Sequence, residues 1–113
     1  RSVRKLHVEG LRPCGVDEHM QLYRLREGSG TVTRHVDEDF DGPGNTRALC
    51  SILVYLNGDY VGGATRFNGV PAPHVGVGGG LVFRHDVPHG GLVVVRGGKY
   101  VLKTDLFFAK NVV

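Results

Sequence analysis

The apolar residues of this chain occur in short runs that are separated by glycine-rich turns. The longest run, residues 48–56 (ALCSILVYL), is continuous, contains β-branched side chains and ends at Asn57-Gly58, which is typical of a buried strand. Other runs beside glycine turns predict further extended segments, at 23–36 (two segments around a glycine loop), 81–83, 92–95 and 100–108. No segment carries a long helical period, although Asp17 could cap a short helical turn through Tyr23.

This pattern predicts an all-β sandwich or barrel, built as one domain over residues 1–113. The length fits a single domain with one modest core. Glycine, at 18 residues, is well above its usual share and supplies the tight turns that such a fold needs. Residues 37–47, acidic at first and then rich in Gly and Pro, are expected to form a surface loop.

The net charge of +3 comes from basic residues that are spread along the chain. Because they form no basic stripe with interleaved aromatic residues, we do not expect nucleic-acid binding. The apolar runs are far shorter than the roughly 18 residues of a membrane-spanning helix, so we expect no membrane span and a cytoplasmic location. Because the chain starts at Arg1 without Met, we expect a processed chain or one that is incomplete at its N-terminus. The sequence leaves the oligomeric state undetermined.

Cys14 and Cys50 are the two cysteines, and neither belongs to a C-x-x-C pair. A disulfide scaffold and a cysteine-based zinc site are therefore not expected. A single disulfide between these two residues stays open.

The first candidate site is His35-Val36-Asp37. In an extended strand, side chains two residues apart project to the same face, so His35 and Asp37 could reach one metal ion. An imidazole and a carboxylate are two of the three ligands in the facial triad of non-haem iron(II) oxygenases. Taken alone, the pair is better interpreted as two solvated loop residues at the start of an acidic turn.

A third ligand could come from His85 or His89, which follow the apolar run at 81–83. The residues themselves leave this choice open, since a pair of turn histidines with hydrogen-bonding roles is equally plausible. Lys99 stands between Gly97-Gly98 and Tyr100. A lysine on a strand that faces an apolar interior would need an anionic partner.

Three stretches, taken in order, resemble the prolyl 4-hydroxylase-type branch of the 2-oxoglutarate- and iron(II)-dependent oxygenases. Residues 27–37 resemble the segment that carries the H-x-D motif of the family, and residues 51–67 resemble its "YLN…GGxTxF" strand and turn. Residues 81–105 resemble the segment with the distal histidine and the 2-oxoglutarate-binding residue. Together they cover most of residues 23–108.

The resemblance implies a double-stranded β-helix (a jelly roll, or cupin-like fold) with few or short helices at the N-terminus. It implies that His35, Asp37 and His89 hold Fe(II), and that Lys99 binds the distal carboxylate of 2-oxoglutarate. Tyr55 matches a strand tyrosine that contacts the same carboxylate in some members, although an ordinary core role is as plausible. Tyr23 is a looser match to a tyrosine near the cosubstrate. His85 either supports the site indirectly or only packs.

The activity that the resemblance implies is hydroxylation of an unactivated C–H bond with O₂, with release of succinate and CO₂. Ascorbate is a candidate further cofactor. The expected substrate is a peptide, a protein or an amino-acid-like small molecule, as for prolyl hydroxylases. The family pattern is altered at Leu25 (often Tyr), at Ala64 (usually Glu) and at a proline common after the distal histidine.

Three alternatives stay open at this point. The same chemistry could act on a small molecule of secondary metabolism. The chain could instead be a non-catalytic, metal-stabilised β-barrel that binds a partner. A zinc hydrolase is a weaker alternative, since two histidines and an aspartate also suit zinc.

Overall fold

The computed structural model describes residues 10–29 and 32–110, and within these ranges every helix or strand element is a β-strand. The predicted all-β class is therefore confirmed. The predicted helical turn through Tyr23 is wrong: residues 21–25 form a strand, because they pair along their whole length with the last strand of the chain. The short N-terminal helices that the resemblance implied are absent from residues 10–29, and residues 1–9 lie outside the described residues.

The described residues form twelve strands. They are β1 (Leu11–Val16), β2 (Gln21–Leu25), β3 (Val32–His35), β4 (Phe40–Asp41), β5 (Thr46–Tyr55), β6 (Val61–Gly62), β7 (Thr65–Phe67), β8 (Val70–Pro71), β9 (Gly80–Arg84), β10 (His89–Gly91), β11 (Val94–Arg96) and β12 (Lys99–Lys110). Among these ranges, no helix is long and apolar enough to cross a membrane.

The largest sheet is organised around the two longest strands, β5 and β12, which pair antiparallel with Val101 opposite Tyr55 and Thr104 opposite Ile52. The other edge of β12 pairs with β1 and β2, while β5 also pairs with β4 and β9. The strong apolar run at 48–56 thus becomes an inner strand, covered by neighbours on both edges.

A second sheet has the order β3-β10-β7-β8, and a third consists of β11 and β6. In the second sheet, β10 pairs antiparallel with β3 so that His89 stands opposite His35. Gly90 is needed at this crossing, because a Cβ there would lie 2.6 Å from the Val32 carbonyl oxygen. The second sheet thus brings together two segments that are more than fifty residues apart in the chain.

The apolar core lies where β5 and β12 meet. Cys50 and Phe108 are fully buried there, and Leu11, Leu49 and Leu106 pack against them. Loss of the Phe108 ring would cost about 3–5 kcal/mol of stability. Both cysteines are free thiols, so the disulfide that the sequence left open is absent, and burial raises the pKa of Cys50 to about 11.

Two boundaries differ from the predictions. The loop at 37–47 contains the short strand β4, which pairs with β5. The strand expected at 92–95 begins only at Val94, because the amide of Leu92 donates to Ala64 of the adjacent loop and residues 92–93 belong to no strand.

Candidate active site

The two histidines His35 and His89 face each other across the β3–β10 ladder. Their Cα atoms are partners in the register, and their ring centroids are 4.4 Å apart. His89 is 7% exposed and packs against the rings of Phe83 and Phe67, whereas the His35 side chain is half exposed. The pairing thus places a fixed imidazole beside a more accessible one.

Asp37 lies two residues after the end of β3 and completes a cluster with these histidines. Its Oδ1 lies 3.4 Å from Nε2 of His35, and its Oδ2 lies 3.6 Å from Nε2 of His89. One ligand atom from each of the three residues lies within 4.8 Å of the others. Metal–nitrogen and metal–oxygen bonds of about 2.0–2.2 Å require similar separations, so this donor set fits a divalent metal ion.

The ring orientation of both histidines also fits metal binding. Nδ1 of His35 lies 2.8 Å from the Thr33 carbonyl oxygen, and Nδ1 of His89 lies 2.9 Å from that of Val87. Because a carbonyl oxygen only accepts, each Nδ1 carries the proton and donates it. The lone pair of a neutral ring is then on Nε2, which faces Asp37 and is free to bind a metal.

The Asp37 carboxylate is held by further polar groups. Ser51, fully buried on β5, donates to Oδ2 at 2.5 Å, and Nζ of Lys103 lies 3.8 Å from the same oxygen. Burial alone would raise the pKa of Asp37, but the hydrogen bond from Ser51 and the electrostatic influence of the nearby Lys103, His89 and His35 side chains lower it below its usual value. Asp37 is therefore an ionised carboxylate that is held before any metal binds.

Lys99 lies at the start of β12 and is only 4% exposed. Its Nζ donates to the Gly63 carbonyl oxygen at 2.5 Å and lies 5.1 Å and 5.8 Å from the ring centroids of Tyr55 and Tyr60. The φ of 69° at Gly63, which favours glycine, belongs to the turn that presents this carbonyl. Among residues 10–29 and 32–110, no carboxylate forms an ion pair with Lys99. Burial lowers the pKa of Lys99, as expected for a cation without an anionic partner.

A pocket of about 220 Å³ connects the three clustered residues with Lys99. His35, Asp37 and His89 line one part of it, Lys99 lines another, and apolar side chains such as Leu53, Phe83 and Val101 form walls. A pocket that combines a metal-binding donor set with a buried cation suits a small anionic molecule that can also chelate a metal.

The two predicted tyrosines lie in different places. Tyr23 lines the pocket, and its hydroxyl donates to Gln21 at 2.8 Å. Tyr55 lies beside Lys99, where its hydroxyl shares a hydrogen bond of 2.9 Å with Thr65, and burial raises its pKa. Tyr55 lines a neighbouring cavity that reaches Lys99 from another direction.

His85 is not part of the three-residue cluster. Its ring is 2% exposed and lies between two carboxylates, with Nδ1 3.0 Å from Asp39 and Nε2 2.9 Å from Asp105. The structure therefore places His89, and not His85, beside His35 and Asp37.

Ser51 and Lys103 were missed in the sequence. Lys103 stands four residues after Lys99 on the same strand, so β alternation places both lysines on one face. Apart from the tyrosine, Ser51 is the one polar residue in the run at 48–56. A hydroxyl group within a predicted buried strand needs a polar partner, and this need could have indicated that Ser51 faces the site. Thr65 gave no signal beyond its place in the turn motif.

No protein-family model and no curated protein matches this sequence. Solved structures do match. The viral collagen prolyl hydroxylase vCPH from Paramecium Bursaria Chlorella virus-1, in complex with 2OG, is similar with a TM-score of 0.63 and 21% identity, over 92% of this chain and 63% of that one. A truncated form of that enzyme gives the same TM-score and identity over 60% of its chain.

A prolyl-4-hydroxylase from Pseudomonas putida is similar with a TM-score of 0.55 and 26% identity, over 81% of this chain and 52% of that one. This chain has the fold of the prolyl hydroxylases. The resemblance seen in the sequence motifs is thereby confirmed at the level of the fold. The chain spans less than two thirds of the length of each of these prolyl hydroxylases.

Proposed function

We propose that the chain is an Fe(II)- and 2-oxoglutarate-dependent dioxygenase that hydroxylates an unactivated C–H bond. The observation that carries this proposal is the pocket that combines the His35–Asp37–His89 cluster with the buried Lys99, which forms no ion pair with any residue that the structure describes. 2-Oxoglutarate has a keto acid group that chelates a metal and a carboxylate that needs a cation. Its two ends therefore correspond to the two polar regions of the pocket.

We extend the proposal to the architecture of the whole chain. The six-stranded and four-stranded sheets would be the two halves of a double-stranded β-helix, with residues 1–113 forming one dioxygenase domain. The all-β strand content and the similarity to prolyl hydroxylase structures support this arrangement. In such a fold the histidines of β3 and β10 would lie near one open end of the barrel.

His35 and His89 would each bind Fe(II) through Nε2, and Asp37 would supply the carboxylate ligand. Three ligands on one face leave other positions open for the cosubstrate and for O₂. The bound iron would couple the conversion of 2-oxoglutarate and O₂ into succinate and CO₂ to insertion of one oxygen atom into the substrate C–H bond. The protein would contribute orientation and the exclusion of side reactions.

Lys99 would donate to the distal carboxylate of 2-oxoglutarate. A buried ammonium group is costly without an anionic partner, so its charge favours a dicarboxylate over a neutral molecule of the same size. Tyr55 and its hydrogen bond with Thr65 would fix one side of Lys99, and Tyr23 would close the pocket from β2.

The proposed substrate is a peptidyl or amino-acid residue, as the names of the similar enzymes suggest. A small-molecule hydroxylase with the same chemistry is the second candidate, since loops around a conserved core set such choices. Ascorbate would serve, if used, to keep the iron reduced.

The test is turnover of 2-oxoglutarate by the chain with Fe(II) in air, measured as succinate. We expect succinate to form with Fe(II) and not with Zn²⁺, and its rate to rise with the preferred substrate. Proline-containing peptides compared with free amino acids would separate the two substrate classes. Absence of succinate under all these conditions would favour a non-catalytic metal-binding module. Hydrolysis of a test ester or peptide bond with Zn²⁺ in place of Fe(II), measured in a separate assay, would favour a hydrolase.

A further inference from the structure

The imidazole of His85 is almost fully buried although the proposed chemistry does not use it. It is 2% exposed and lies at the end of β9, four residues before His89. Both of its ring nitrogens contact carboxylate oxygens, from Asp39 at 3.0 Å and from Asp105 at 2.9 Å. A buried polar group with two charged partners is costly to assemble, which calls for a reason beyond packing.

The two carboxylates belong to different parts of the fold. Asp39 lies in the segment between β3 and β4, two residues after Asp37, and about half of its side chain is exposed. Asp105 lies on the long strand β12. The ring of His85 therefore connects the segment between β3 and β4 to β12, one of the two central strands of the largest sheet.

The backbone of His85 forms a second connection to the same loop. The amide of Asp37 donates to the His85 carbonyl oxygen at 2.9 Å, and the amide of His85 donates to Leu49 of β5 at 2.9 Å. The segment 37–39 is thus attached to His85 at both of its ends, once through backbone and once through a side chain. His85 is in turn attached to β5 and β12.

We propose that His85 is a positioning residue that holds the loop between β3 and β4 and thereby fixes Asp37 opposite His35 and His89. The first claim of this proposal, that His85 restrains the loop between β3 and β4, does not depend on any ligand. The second claim, that this restraint raises metal affinity, rests on the proposed function. Partners of this kind, which orient a metal ligand without touching the metal, typically change metal affinity by about 10–100-fold.

The ligand-free chain tests the fixed loop through hydrogen exchange of the Asp37 amide. We expect His85→Ala and Asp39→Ala each to speed this exchange, because the loop then opens more often. Asp41→Ala is the matched control: Asp41 is the next aspartate along the chain, lies on β4, is exposed, and its side chain pairs with Arg47 and not with His85. Exchange of the Asp37 amide that is unchanged in both test variants would overturn the proposal.

Metal affinity is then measured by anaerobic titration with Co²⁺, which has a visible spectrum when bound. We expect His85→Ala and Asp39→Ala to weaken Co²⁺ binding by about 10–100-fold, and Asp41→Ala to leave it unchanged. Thermal melting of each variant, followed in parallel, identifies loss of fold. Should His85→Ala fail to fold, Asp39→Ala still decides the question, since it leaves the His85–Asp105 contact in place.

Two conservative variants distinguish positioning from general packing. The amide nitrogen of Asn can occupy the place of Nδ1, and that of Gln the place of Nε2. His85→Asn keeps the bond to Asp39, so we expect it to retain most of the Co²⁺ affinity. His85→Gln keeps only the bond to Asp105, so we expect it to behave like His85→Ala. Equal affinities for the Asn and Gln variants would contradict a role through Asp39.

The two proposals fail in different ways. If the unaltered chain neither binds Co²⁺ nor forms succinate, while the Asp37 amide still responds to His85→Ala, the proposed function fails and the fixed loop stands. If the chain binds Co²⁺ and forms succinate, but His85→Ala and Asp39→Ala bind the metal as tightly, the proposed function stands and the positioning role of His85 is wrong.

Discussion

The pocket that connects the three clustered residues with Lys99 has two ends that differ in their hydrogen bonding. At the end with His35, Asp37 and His89, called the metal end below, each proposed ligand already has partners. Both histidines donate from Nδ1 to carbonyl groups, and Asp37 accepts from Ser51. At the other end, Lys99 has one carbonyl acceptor and two aromatic rings, and no carboxylate of residues 10–29 or 32–110 pairs with it. Within the part of the chain that the structure describes, the ligands at one end have their partners before a metal arrives, whereas the Lys99 charge at the other end has no anionic partner.

This difference between the two ends indicates that metal affinity and cosubstrate affinity would arise in two different ways. A metal site gains affinity when its ligands are fixed in advance, because less order is lost on binding. A buried cation without a partner gains affinity differently, since an arriving carboxylate removes a cost that the ligand-free protein carries. Substitutions at the two ends should therefore have separable effects on metal and on cosubstrate.

The largest effect is expected from His89→Ala at the metal end. It removes a buried proposed ligand, so we expect Co²⁺ affinity and succinate formation to fall by more than the about 10–100-fold that supporting partners produce. His74→Ala, at an exposed histidine outside the cluster, is the control and should leave both unchanged. Full turnover by His89→Ala would mean that His89 is not a ligand.

Lys99→Met should act at the other end. We expect 2-oxoglutarate binding to weaken by about 2–5 kcal/mol, which is at least about thirtyfold in Kd. Co²⁺ affinity should stay within about twofold, since the hydrogen bond of Lys99 goes to Gly63 and no ion pair joins it to the three clustered residues. Calorimetric titration measures both ligands, and Arg12→Met on β1 serves as a control for loss of a positive charge elsewhere. Weaker Co²⁺ binding with unchanged 2-oxoglutarate binding would reverse the assignment of the two ends.

Ser51→Ala tests whether the metal end depends on the hydrogen bond that Ser51 donates to Asp37. The hydroxyl donates to the Asp37 oxygen at 2.5 Å, so its loss should free the carboxylate to rotate and lower Co²⁺ affinity by about tenfold. Ser29→Ala removes an exposed serine that donates to a backbone carbonyl, and should leave metal binding unchanged. If both alanine variants bind Co²⁺ equally, Asp37 does not depend on Ser51.

The sequence predicted the strands better than their pairing. The run at 48–56 and the run at 100–108 form β5 and β12 because their apolar, β-branched patterns are local signals. The turn predicted through Tyr23 failed because the edge of β12 recruits residues 21–25 as a strand, and that contact is not local. Tertiary pairing decided the outcome where the local signal was weak.

The same contrast between local signals and non-local contacts holds for the candidate site. Strand alternation made His35 and Asp37 only a weak candidate pair, and the role expected for Lys99 came from the family resemblance. The choice of His89 over His85 needed the family resemblance, because only the β3–β10 register brings His89 opposite His35. Ser51 and Lys103 are determined by side-chain contacts across strands, which the order of residues does not specify.

The smallest effect is expected in the pH dependence of the free energy of unfolding. This measurement distinguishes an effect of the charge of Lys99 from an effect of the size of its side chain. Burial lowers the pKa of Lys99 from its ordinary value of 10.5. Between the lowered value and 10.5, the unfolded chain holds the proton that the folded chain has lost, so the contribution of Lys99 to stability rises with pH. Cys50 acts in the opposite direction, since its raised pKa of about 11 makes stability fall above its ordinary 9.0.

Cys50 and the other titrating groups are present in both the unaltered chain and Lys99→Met. Their contributions therefore cancel when the free energies of unfolding of the two proteins are subtracted. We expect Lys99→Met to be the more stable ligand-free protein at neutral pH, by about 1–2 kcal/mol in denaturant unfolding. This advantage should shrink as the pH rises from the lowered pKa of Lys99 toward and beyond 10.5, because above 10.5 the Lys99 side chain is neutral in the folded and in the unfolded chain. At neutral pH with saturating 2-oxoglutarate the order should reverse, since the carboxylate then stabilises the ammonium group. An advantage that is independent of both pH and 2-oxoglutarate would mean that the side chain's volume, and not its unpaired charge, distinguishes this end of the pocket.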